Sequence, residues 1–484
     1  PVIEEIAPAL TLVINSSLIN GIFPTIYKCA RVTPIFKNKG ARSDKSNYRP
    51  VSNLSLFGKC QEVCVDMQLR KHCEKLGLFG GHQHGFRRSR STTTALLTAV
   101  IRWRENRQSK KHQAALFFDL SAAYDVLDRD IFLQKAKICG ITGAAIDWLR
   151  SYLTNRSQVV QVGSAFSPEL NLDSGTPQWS SCSCLIFALY VGDLPLWVKD
   201  GALEAYADDT FVTVEADGNL ELRRKLEEVG TNVLSYFAAN RMVANASKTA
   251  MIVFRQKGEH EPFHIVLANE KITETSEEKV LGVYVQSDLK WSKQTDKVVS
   301  EMNYAMSKLR RLKEHLGRKE LRTIAVGLIM SKIRYCLPAF ASESIRFQET
   351  DPQSTSLQRI QRGQNDALRI LTGKKRRDHV RISEMLERVN FLSVNQTAAY
   401  GLLMELWKAR QFDVPVLGTL LARRRNDGRT LRSDSANIVT TSGQEKLLIN
   451  CERLWNRATT KFKVTNLLKV AKSEAKTIAK SLPI

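Results

Sequence analysis

The stretch EAYADDTFVTV, residues 204–214, places two adjacent carboxylates, Asp208 and Asp209, between two short runs of aromatic and β-branched residues. Runs of this kind favour β-strands, and a short polar break between two of them is typical of a hairpin turn. An Asp-Asp pair at such a turn is usually only a solvated loop. Paired carboxylates at a rigid hairpin tip also suit a hard divalent cation, which prefers oxygen ligands. A third carboxylate from another strand would favour the metal site.

Asp119 is the candidate for that third carboxylate. It ends the apolar run AALFFDL, residues 114–120, which predicts a fully buried strand, and a helical pattern with a stop at Gly140 follows. Three carboxylates on adjacent strands can hold two metal ions, one to activate a hydroxyl nucleophile and one to neutralise a leaving group. The sequence therefore indicates a two-metal site shared by two segments.

The net charge of +23 is concentrated at the C-terminal end of the chain. Residues 301–484 carry 35 Lys and Arg against 17 Asp and Glu, or +18, which leaves +5 for residues 1–300. A basic helical region suits a phosphate backbone, because each neutralised phosphate releases counterions. An acidic membrane surface and ordinary solvated helices are the alternatives. Apolar runs stay shorter than about 18 residues, so we expect no membrane insertion.

The cysteines indicate a reducing compartment. Nine of them are scattered along the chain without a CxxC pair, and several lie inside apolar runs, as buried free thiols do. A zinc site is disfavoured because no ligand pairs with finger spacing occur among the candidates Cys60, Cys64, Cys73, His82 and His84.

Two regions of different architecture are expected. Strand and helix patterns alternate in the first half of the chain, and helical patterns follow from about residue 290. One helix has a core stripe at helical spacing: Leu222, Leu226, Val229, Val233 and Phe237. Further strands are predicted at 249–254 and 278–285. Helical stretches are predicted at 293–316, 318–340, 355–372, 394–412 and 444–480, with exposed basic loops at 372–379 and 421–430.

At this point the sequence resembles a known family. FFDLSAAYDVLD (117–128) and YADD (206–209) resemble motifs A and C of reverse transcriptases from non-LTR retrotransposons, the LINE-like elements of the Jockey and CR1 type. Other segments resemble further elements of that family in the same order: RVTPIFKNKG (31–40), NYRPVSNLS (47–55), QHGFRRSRSTTTAL (83–96), SGTPQWSSCSCLIFALYVGDLP (174–195), MVANASKTAMIVF (242–254) and KVLGVYVQSDLKW (279–291).

The resemblance implies an α+β fold of the right-hand polymerase type, with fingers, a palm with an antiparallel sheet, and a helical thumb. The domains expected from it are an N-terminal helical extension at 1–30, fingers and palm at 31–286, a thumb at 287–375 and a basic helical C-terminal region at 376–484. Because the sequence starts at Pro1 rather than Met, we expect it to be a segment of a longer protein, with an endonuclease encoded upstream.

The resemblance also assigns roles at the site. Asp119, Asp208 and Asp209 would hold two Mg²⁺ ions, with Mn²⁺ as an alternative, and Lys248 would protonate the departing pyrophosphate. Tyr124 would lie beneath the sugar and exclude a 2′-hydroxyl, which favours deoxynucleotides.

Other residues are expected to contact the substrates. Arg87 is the main candidate for the triphosphate, with Arg49, Arg90 and Lys37 as weaker ones. Gln178 lies in motif B and would contact the substrate. Leu281 and Gly282 would form the primer grip.

The implied partners are an RNA template, a DNA primer or target, dNTPs and an element-encoded RNA-binding protein, with no membrane. The implied location is the nucleus and the cytoplasm. One departure from the family bears on activity: motif B usually reads Pro-Gln-Gly, and here Trp179 follows Pro177 and Gln178, where an indole would occupy space near the nucleotide. A catalytically impaired copy or domesticated nucleic-acid-binding protein is therefore the alternative. An RNA-dependent RNA polymerase or a maturase-like factor is a further alternative. Tyr124 and YADD disfavour the former, and the LINE-like segments that follow the polymerase motifs disfavour the latter.

Overall fold

The computed structural model describes residues 2–38, 40–244, 246–255, 261–412, 414 and 446–484. Its strands are β1 Cys29–Phe36, β2 Tyr48–Asn53, β3 His112–Phe118, β4 Leu120–Ser121, β5 Arg156–Val162, β6 Ala165–Phe166, β7 Leu170–Leu172, β8 Ala202–Tyr206, β9 Asp209–Ala216, β10 Val243–Ala244, β11 Ala250–Val253, β12 His264–Leu267, β13 Glu270–Thr273, β14 Glu277–Val280 and β15 Val283–Gln286.

The helices follow the same chain order. They are α1 Val2–Asn20, α2 Leu56–Lys75, α3 Thr92–Gln108, α4 Arg129–Ile138, α5 Ala144–Leu153, α6 Ser181–Tyr190, α7 Asn219–Ala239, α8 Ser292–Leu312, α9 Arg318–Ala325, α10 Ser331–Arg334, α11 Leu337–Ala341, α12 Thr355–Thr372, α13 Ile382–Val389, α14 Val394–Phe412, α15 Lys446–Arg457, α16 Thr460–Val464 and α17 Leu468–Lys480. The predicted α+β class, mixed first and helical afterwards, is confirmed.

The central sheet carries the candidate site. Its four strands lie in the order β11-β3-β9-β8, and all neighbouring pairs are antiparallel. Along β3, Leu116 and Phe118 belong to a hydrophobic cluster that includes α7, whereas Ala115 and Phe117 contact a second cluster that includes α3 and the C-terminal helices. Both faces of the sheet are covered, so the apolar run of β3, residues 114–118, is stable here.

Helix α7 packs on one face of this sheet through the stripe that the sequence predicted. Its members Leu222, Leu226, Val229, Val233 and Phe237 are all buried. Each fully buried apolar side chain of this size stabilises the fold by roughly 1.5–3 kcal/mol, so the stripe fixes the helix on the sheet. This prediction is confirmed.

A second sheet lies earlier in the chain. Strand β1 pairs antiparallel with β2 and parallel with β5, and β6 and β7 both pair with β5. The parallel pairing joins segments more than a hundred residues apart, and α2, α3, β3, α4 and α5 lie between them in sequence. Residues of the expected fingers therefore form a sheet that is separate from the central one.

From α8 onward the described chain is helical, and its core is continuous with α3 and the β14–β15 hairpin. The predicted helices 355–372 and 394–412 match α12 and α14. The stretch 318–340 is broken at Cys336, whose φ is +50°, because Pro338, in the first turn of the next helix, lacks an amide donor. The stretch 444–480 contains three helices rather than one.

Other expectations are settled in part. Residues 278–285 form a hairpin rather than one strand, and the basic loop 372–379 is largely exposed. The basic loop predicted at 421–430 lies outside the described residues. Because one hydrophobic cluster continues past residue 375, the domain boundaries stay predictions. In the part of the chain that the structure describes, no single helix is long and apolar enough to span a membrane, and one bent pair, 318–334 with 337–344, passes on length and composition alone.

Candidate active site

The predicted hairpin with Asp208 and Asp209 is present, and its turn lies at one end of the strands of the central sheet. Strands β8 and β9 are joined by a two-residue turn, Ala207 and Asp208, which the pairing of Tyr206 with Asp209 closes. Ala207 has a φ of +58°, the left-handed value that tight hairpins require. Asp208 is half-buried in the turn, and Asp209 is exposed as the first residue of β9.

Asp119 lies beside this hairpin. It follows Phe118, which pairs with Thr210 across β3 and β9, so the next step along each strand brings Asp119 level with Asp209. Its side chain is 61% exposed. The structure therefore brings the three predicted carboxylates together from two neighbouring strands.

The electrostatics of the three carboxylates reflect this proximity. Although Asp209 as a whole residue is exposed, loss of water around its carboxyl group, together with the negative charges of Asp208 and Asp119, raises its pKa to about 6. Burial also raises the pKa of Asp208, with a contribution from Asp119. Like charges this close disfavour the ionised forms, and a divalent cation would remove the repulsion.

The donor set fits a hard divalent ion in its chemistry, because it offers only carboxylate oxygens. As the side chains stand, however, no group of three or more His, Cys, Asp or Glu residues within the described ranges is close enough to hold one ion. Carboxylate rotamers would have to turn toward a shared ion. The backbone positions favour such a site.

Lys248 is the positive charge next to the carboxylates. Its Nζ lies 3.7 Å from Oδ2 of Asp119, and its side chain is 53% exposed. It ends a 3₁₀ turn, Ala246–Lys248, which leads into β11, the strand that pairs with β3. Lys248, the predicted general acid, is therefore held at the same end of the strands as Asp119, and its side chain is exposed to a ligand.

Tyr124 lies close to the hairpin but packs on the protein. Its ring centroid is 4.9 Å from that of Phe187 in α6, and the side chain is half-buried. Burial raises the pKa of its hydroxyl, and the nearby charge of Asp208 contributes to the shift. A ring held on one side by Phe187 and reaching toward Asp208 is a rigid wall next to the carboxylates.

Motif B forms a loop before α6. The Gln178 amide donates to both carboxylate oxygens of Asp125, at 2.8 and 2.9 Å. Trp179 has a φ of +65°, a backbone conformation that favours glycine, and this explains why a Gly is usual at this position. The Trp179 side chain is 67% exposed, so the indole extends into open space instead of packing in the core.

A cleft of about 400 Å³ separates this loop from the sheet of β1, β2 and β5. Gln178, Asp125, Ser52 and Arg156 are among its lining residues. Arg156 is buried, and its Nη2 has no hydrogen-bond partner among the described residues, while Nη1 donates to the Tyr152 carbonyl. No sequence signal pointed to Arg156, because the burial of its guanidinium group depends on which strands enclose it.

The candidate triphosphate residues differ in availability. The Arg87 guanidinium forms a two-point ion pair with Glu74 at 2.7 and 3.1 Å and donates to the Gly80 carbonyl, so it is largely covered. Arg90 donates to the carbonyls of Gly81 and Gln83. Lys37 Nζ donates to the Ser46 carbonyl at 2.8 Å. Their roles stay predictions, and Arg87 would have to exchange Glu74 for phosphate.

Arg49 is the candidate with an open side chain. It lies on β2 opposite Ile35 of β1 and is exposed. Its contact with the triphosphate also stays a prediction.

The predicted primer grip is a hairpin tip. Leu281 and Gly282 join β14 to β15 with φ values of +48° and +78°. The Tyr335 hydroxyl donates to the Leu281 carbonyl at 2.7 Å, and Lys297 Nζ donates to the Gly282 carbonyl. Both partners come from the helical region, which therefore fixes the tip of this hairpin.

A buried polar pair, His84 and Glu204, supports the β8–β9 hairpin. His84 Nε2 lies 2.9 Å from Oε2 of Glu204 on β8, and His84 Nδ1 lies 2.9 Å from Oγ1 of Thr94. No role was predicted for this pair. The available signal was Glu204 itself, a lone acidic residue in a strand that leads to the turn.

Comparisons with known proteins agree with this geometry. Residues 36–285 match the family described as reverse transcriptase (RNA-dependent DNA polymerase). A Drosophila melanogaster protein described as "Probable RNA-directed DNA polymerase from transposon X-element" is 24% identical over 372 residues, which cover 75% of this chain and 40% of that protein. The RNA-directed DNA polymerase from the mobile element jockey of the same species is 27% identical over 256 residues, 51% of this chain and 28% of that protein.

The chain therefore spans less than half the length of these relatives. A solved structure described as telomerase from Candida albicans in complex with a fragment of telomeric RNA is also similar. It is 12% identical, with 85% of this chain and 70% of that chain covered and a TM-score of 0.39.

Proposed function

The chain belongs to the reverse transcriptase family, and on that premise we propose that it is the RNA-directed DNA polymerase of a non-LTR retrotransposon. It extends the 3′ end of a DNA primer with dNTPs by copying an RNA template. The observation that carries this proposal is the meeting of Asp119, Asp208 and Asp209 with Lys248 at one edge of the central sheet. The named relatives are polymerases of the same kind of element.

Asp119, Asp208 and Asp209 would hold two Mg²⁺ ions, with Mn²⁺ as the alternative. When bound, the ions activate the primer 3′-hydroxyl and neutralise the triphosphate leaving group. The fit rests on the strand register that brings the three carboxylates together; burial raises the pKa of Asp208 and Asp209, and the neighbouring carboxylate charges add to the shift. Each carboxylate then orients its share of the reacting groups.

Lys248 supplies the proton for the leaving pyrophosphate. Its ammonium group is exposed and lies within ion-pair distance of Asp119, so it can reach a phosphate oxygen on the same side of the sheet. Tyr124 selects the sugar, because a ring fixed on Phe187 cannot move aside for a 2′-hydroxyl. Arg49, Arg87 and Gln178 are the proposed contacts for the nucleotide.

The primer end is placed by the Leu281–Gly282 turn. Tyr335 and Lys297 fix this turn from the helical region, so a primer held by the helices is also aligned with the carboxylates. The excess of positive charge in residues 301–484 provides the contact surface for the RNA template and the DNA. An element-encoded RNA-binding protein is a further proposed partner.

We also propose that the protein works in the nucleus and the cytoplasm. The nine cysteines, which are all free thiols, support a reducing compartment. The alternative of an impaired copy or a domesticated binding protein is not favoured, because the carboxylates, Lys248 and Tyr124 are all in place.

The test is primer extension on an RNA template with Mg²⁺ and dNTPs. Asp119→Asn, Asp208→Asn and Asp209→Asn should each lower single-turnover extension by roughly 10²–10³-fold or more with normal folding, since each removes one charge at the reacting centre. Asp217→Asn is the matched control, because Asp217 follows the other end of β9 and is 79% exposed. Wild-type extension by any two of the three site variants would disprove the assignment.

A further inference from the structure

The segment 82–85 adds a short edge to the central sheet beside the catalytic hairpin. The His84 amide donates to the Ala205 carbonyl at 2.7 Å, and the Ala205 amide donates to the His82 carbonyl at 2.9 Å. The backbone of the segment runs parallel to β8 at Gln83 and Ala205. The segment thus lies against the last residues of β8 before the turn.

The Gln83 side chain continues this contact into the turn. It is fully buried, and its Oε1 accepts hydrogen bonds from the amides of Gly85 at 2.7 Å and Ala207 at 3.0 Å. Its Nε2 donates to the Ala207 carbonyl at 3.4 Å. One amide side chain therefore satisfies both backbone groups of Ala207, which is itself buried and would otherwise leave them unpaired.

Gly85 makes this approach possible. A Cβ at this position would lie 2.4 Å from the Ala207 nitrogen and 3.1 Å from the Ala207 Cα. The obstacle is backbone, which cannot turn away as a side chain can. Any larger residue would push the segment and the hairpin turn apart.

Three neighbouring arginines fasten the segment to α2 and to its own loop. Arg87 pairs with Glu74 of α2 and donates to the Gly80 carbonyl. Arg70 of α2 pairs with Asp66 and donates to the Phe86 carbonyl. Arg90 donates to the Gly81 and Gln83 carbonyls. The segment is therefore held on the side that faces away from the turn.

We propose that Gln83 and Gly85 are positioning residues for the polymerase reaction: they fix the Ala207 peptide and thereby the placement of Asp208 and Asp209 opposite Asp119. This inference rests on the proposed function. The turn places Asp208 and Asp209 beside Asp119, and like charges on neighbouring strands repel one another, so an unsupported turn would move away from Asp119. Loss of the support should therefore weaken metal binding and slow chemistry, and it should leave primer-template affinity alone.

The test uses two variants. Gln83→Met keeps the length of the side chain and removes its hydrogen bonds, and Gly85→Ala adds a methyl group that would press on the backbone of Ala207. The control is Gln364→Met, because Gln364 of α12 is also fully buried and donates to a backbone carbonyl, that of Leu392 at 2.8 Å. Amide hydrogen exchange followed by mass spectrometry reports on residues 203–210 without metal or nucleic acid. Single-turnover incorporation at varied Mg²⁺ reports on catalysis, and Mn²⁺ binding measured by electron paramagnetic resonance reports on the site itself.

We expect exchange of residues 203–210 to be about tenfold faster in both test variants, as the loss of one or two hydrogen bonds gives. Incorporation should slow by roughly 10-fold to 100-fold, with a several-fold higher Mg²⁺ requirement, weaker Mn²⁺ binding and primer-template affinity within about twofold of wild type. The control variant should change none of these. If one test variant does not fold, the proposal is still tested by the other variant and by the protection of the wild-type amides of residues 205 and 207 from hydrogen exchange.

Unchanged exchange at 203–210, or faster exchange with an unchanged rate and Mg²⁺ requirement, would overturn the proposal. A wild-type protein that extends no primer would instead refute the proposed function. The exchange and Mn²⁺ measurements would then still show whether Gln83 and Gly85 position the hairpin.

Discussion

The buried pair of Glu204 and His84 makes the stability of the β8–β9 hairpin depend on pH. Burial raises the pKa of Glu204 to about 8, although the charges of Arg102 and Arg90 oppose the shift. Burial lowers the pKa of His84 to about 3, and Arg90 and Arg87 contribute to this. Because the two groups lie 2.9 Å apart, they share one proton between these values, whichever residue carries it.

In the unfolded chain the two groups titrate near their ordinary values, 6.5 for His84 and 4.5 for Glu204. Folding therefore raises the upper pKa of the pair from 6.5 to about 8. The stability that this proton confers is complete below pH 6.5 and is lost as the pH rises through 8. At about 1.36 kcal/mol per pKa unit, the loss is roughly 2 kcal/mol between pH 6 and pH 9.

Glu204→Gln should remove this dependence, since an amide of the same shape can still donate to His84 and does not ionise. The assay is urea unfolding of both proteins at pH 6 and pH 9. Wild type should lose about 2 kcal/mol of free energy of unfolding over this range, whereas the variant should lose none, because only His84 of the pair still titrates and its pKa is lowered on folding. Other titrating groups cancel in the comparison. Glu215→Gln, at an exposed position of β9, should behave as wild type. A difference below about 0.5 kcal/mol would refute the reasoning.

Three further predictions concern the reaction. Tyr124→Val should raise the kcat/KM for ribonucleotides relative to deoxynucleotides by about tenfold or more, and an unchanged ratio would mean that Tyr124 only packs. Trp179→Gly should increase single-turnover extension with little change in primer-template affinity, and equal extension by both proteins would show that the indole is clear of the nucleotide. Because the pKa of Asp209 is about 6, protonation should weaken Mg²⁺ binding below pH 6 and binding should release protons, which calorimetry in two buffers would detect; pH-independent binding would contradict this.

The elements with strong periodicity were predictable from the sequence. The stripe of α7 has five apolar residues at helical spacing, and the structure buries all of them. Strand β3 was identified from an apolar run too short for a helix, and its two faces contact two different hydrophobic clusters. Such patterns record the burial of whole faces, which a linear sequence shows directly.

Turns were harder to predict, because their residues do not carry the usual signals. The β14–β15 turn uses Leu281 before Gly282 instead of Asn-Gly, and its left-handed Leu281 is stabilised by Tyr335, 54 residues later. The break at Cys336 had a local signal in Pro338, which the helical pattern around it concealed.

The site was predictable to the level of which residues come together. The motifs pointed to Asp119, Asp208, Asp209 and Lys248, and the structure places them at one edge of the sheet. Contacts between distant segments were not predictable. Arg87 is a residue type that suits a phosphate ligand, yet its guanidinium group pairs with Glu74 on α2. Nothing in the sequence between the two residues indicates that pair.

The loops around the site share one physical property that bears on Trp179. Ala207, Leu281 and Trp179 all have positive φ values, which cost a non-glycine residue roughly 1–2 kcal/mol. At Ala207 the contacts of Gln83 offset that cost, and at Leu281 the Tyr335 hydroxyl does so. The indole of Trp179 is mostly exposed, so its packing offsets little. A glycine there would relieve the backbone and remove few contacts, so any change in catalysis by Trp179→Gly would report the volume of the indole near the nucleotide and not a rearranged loop.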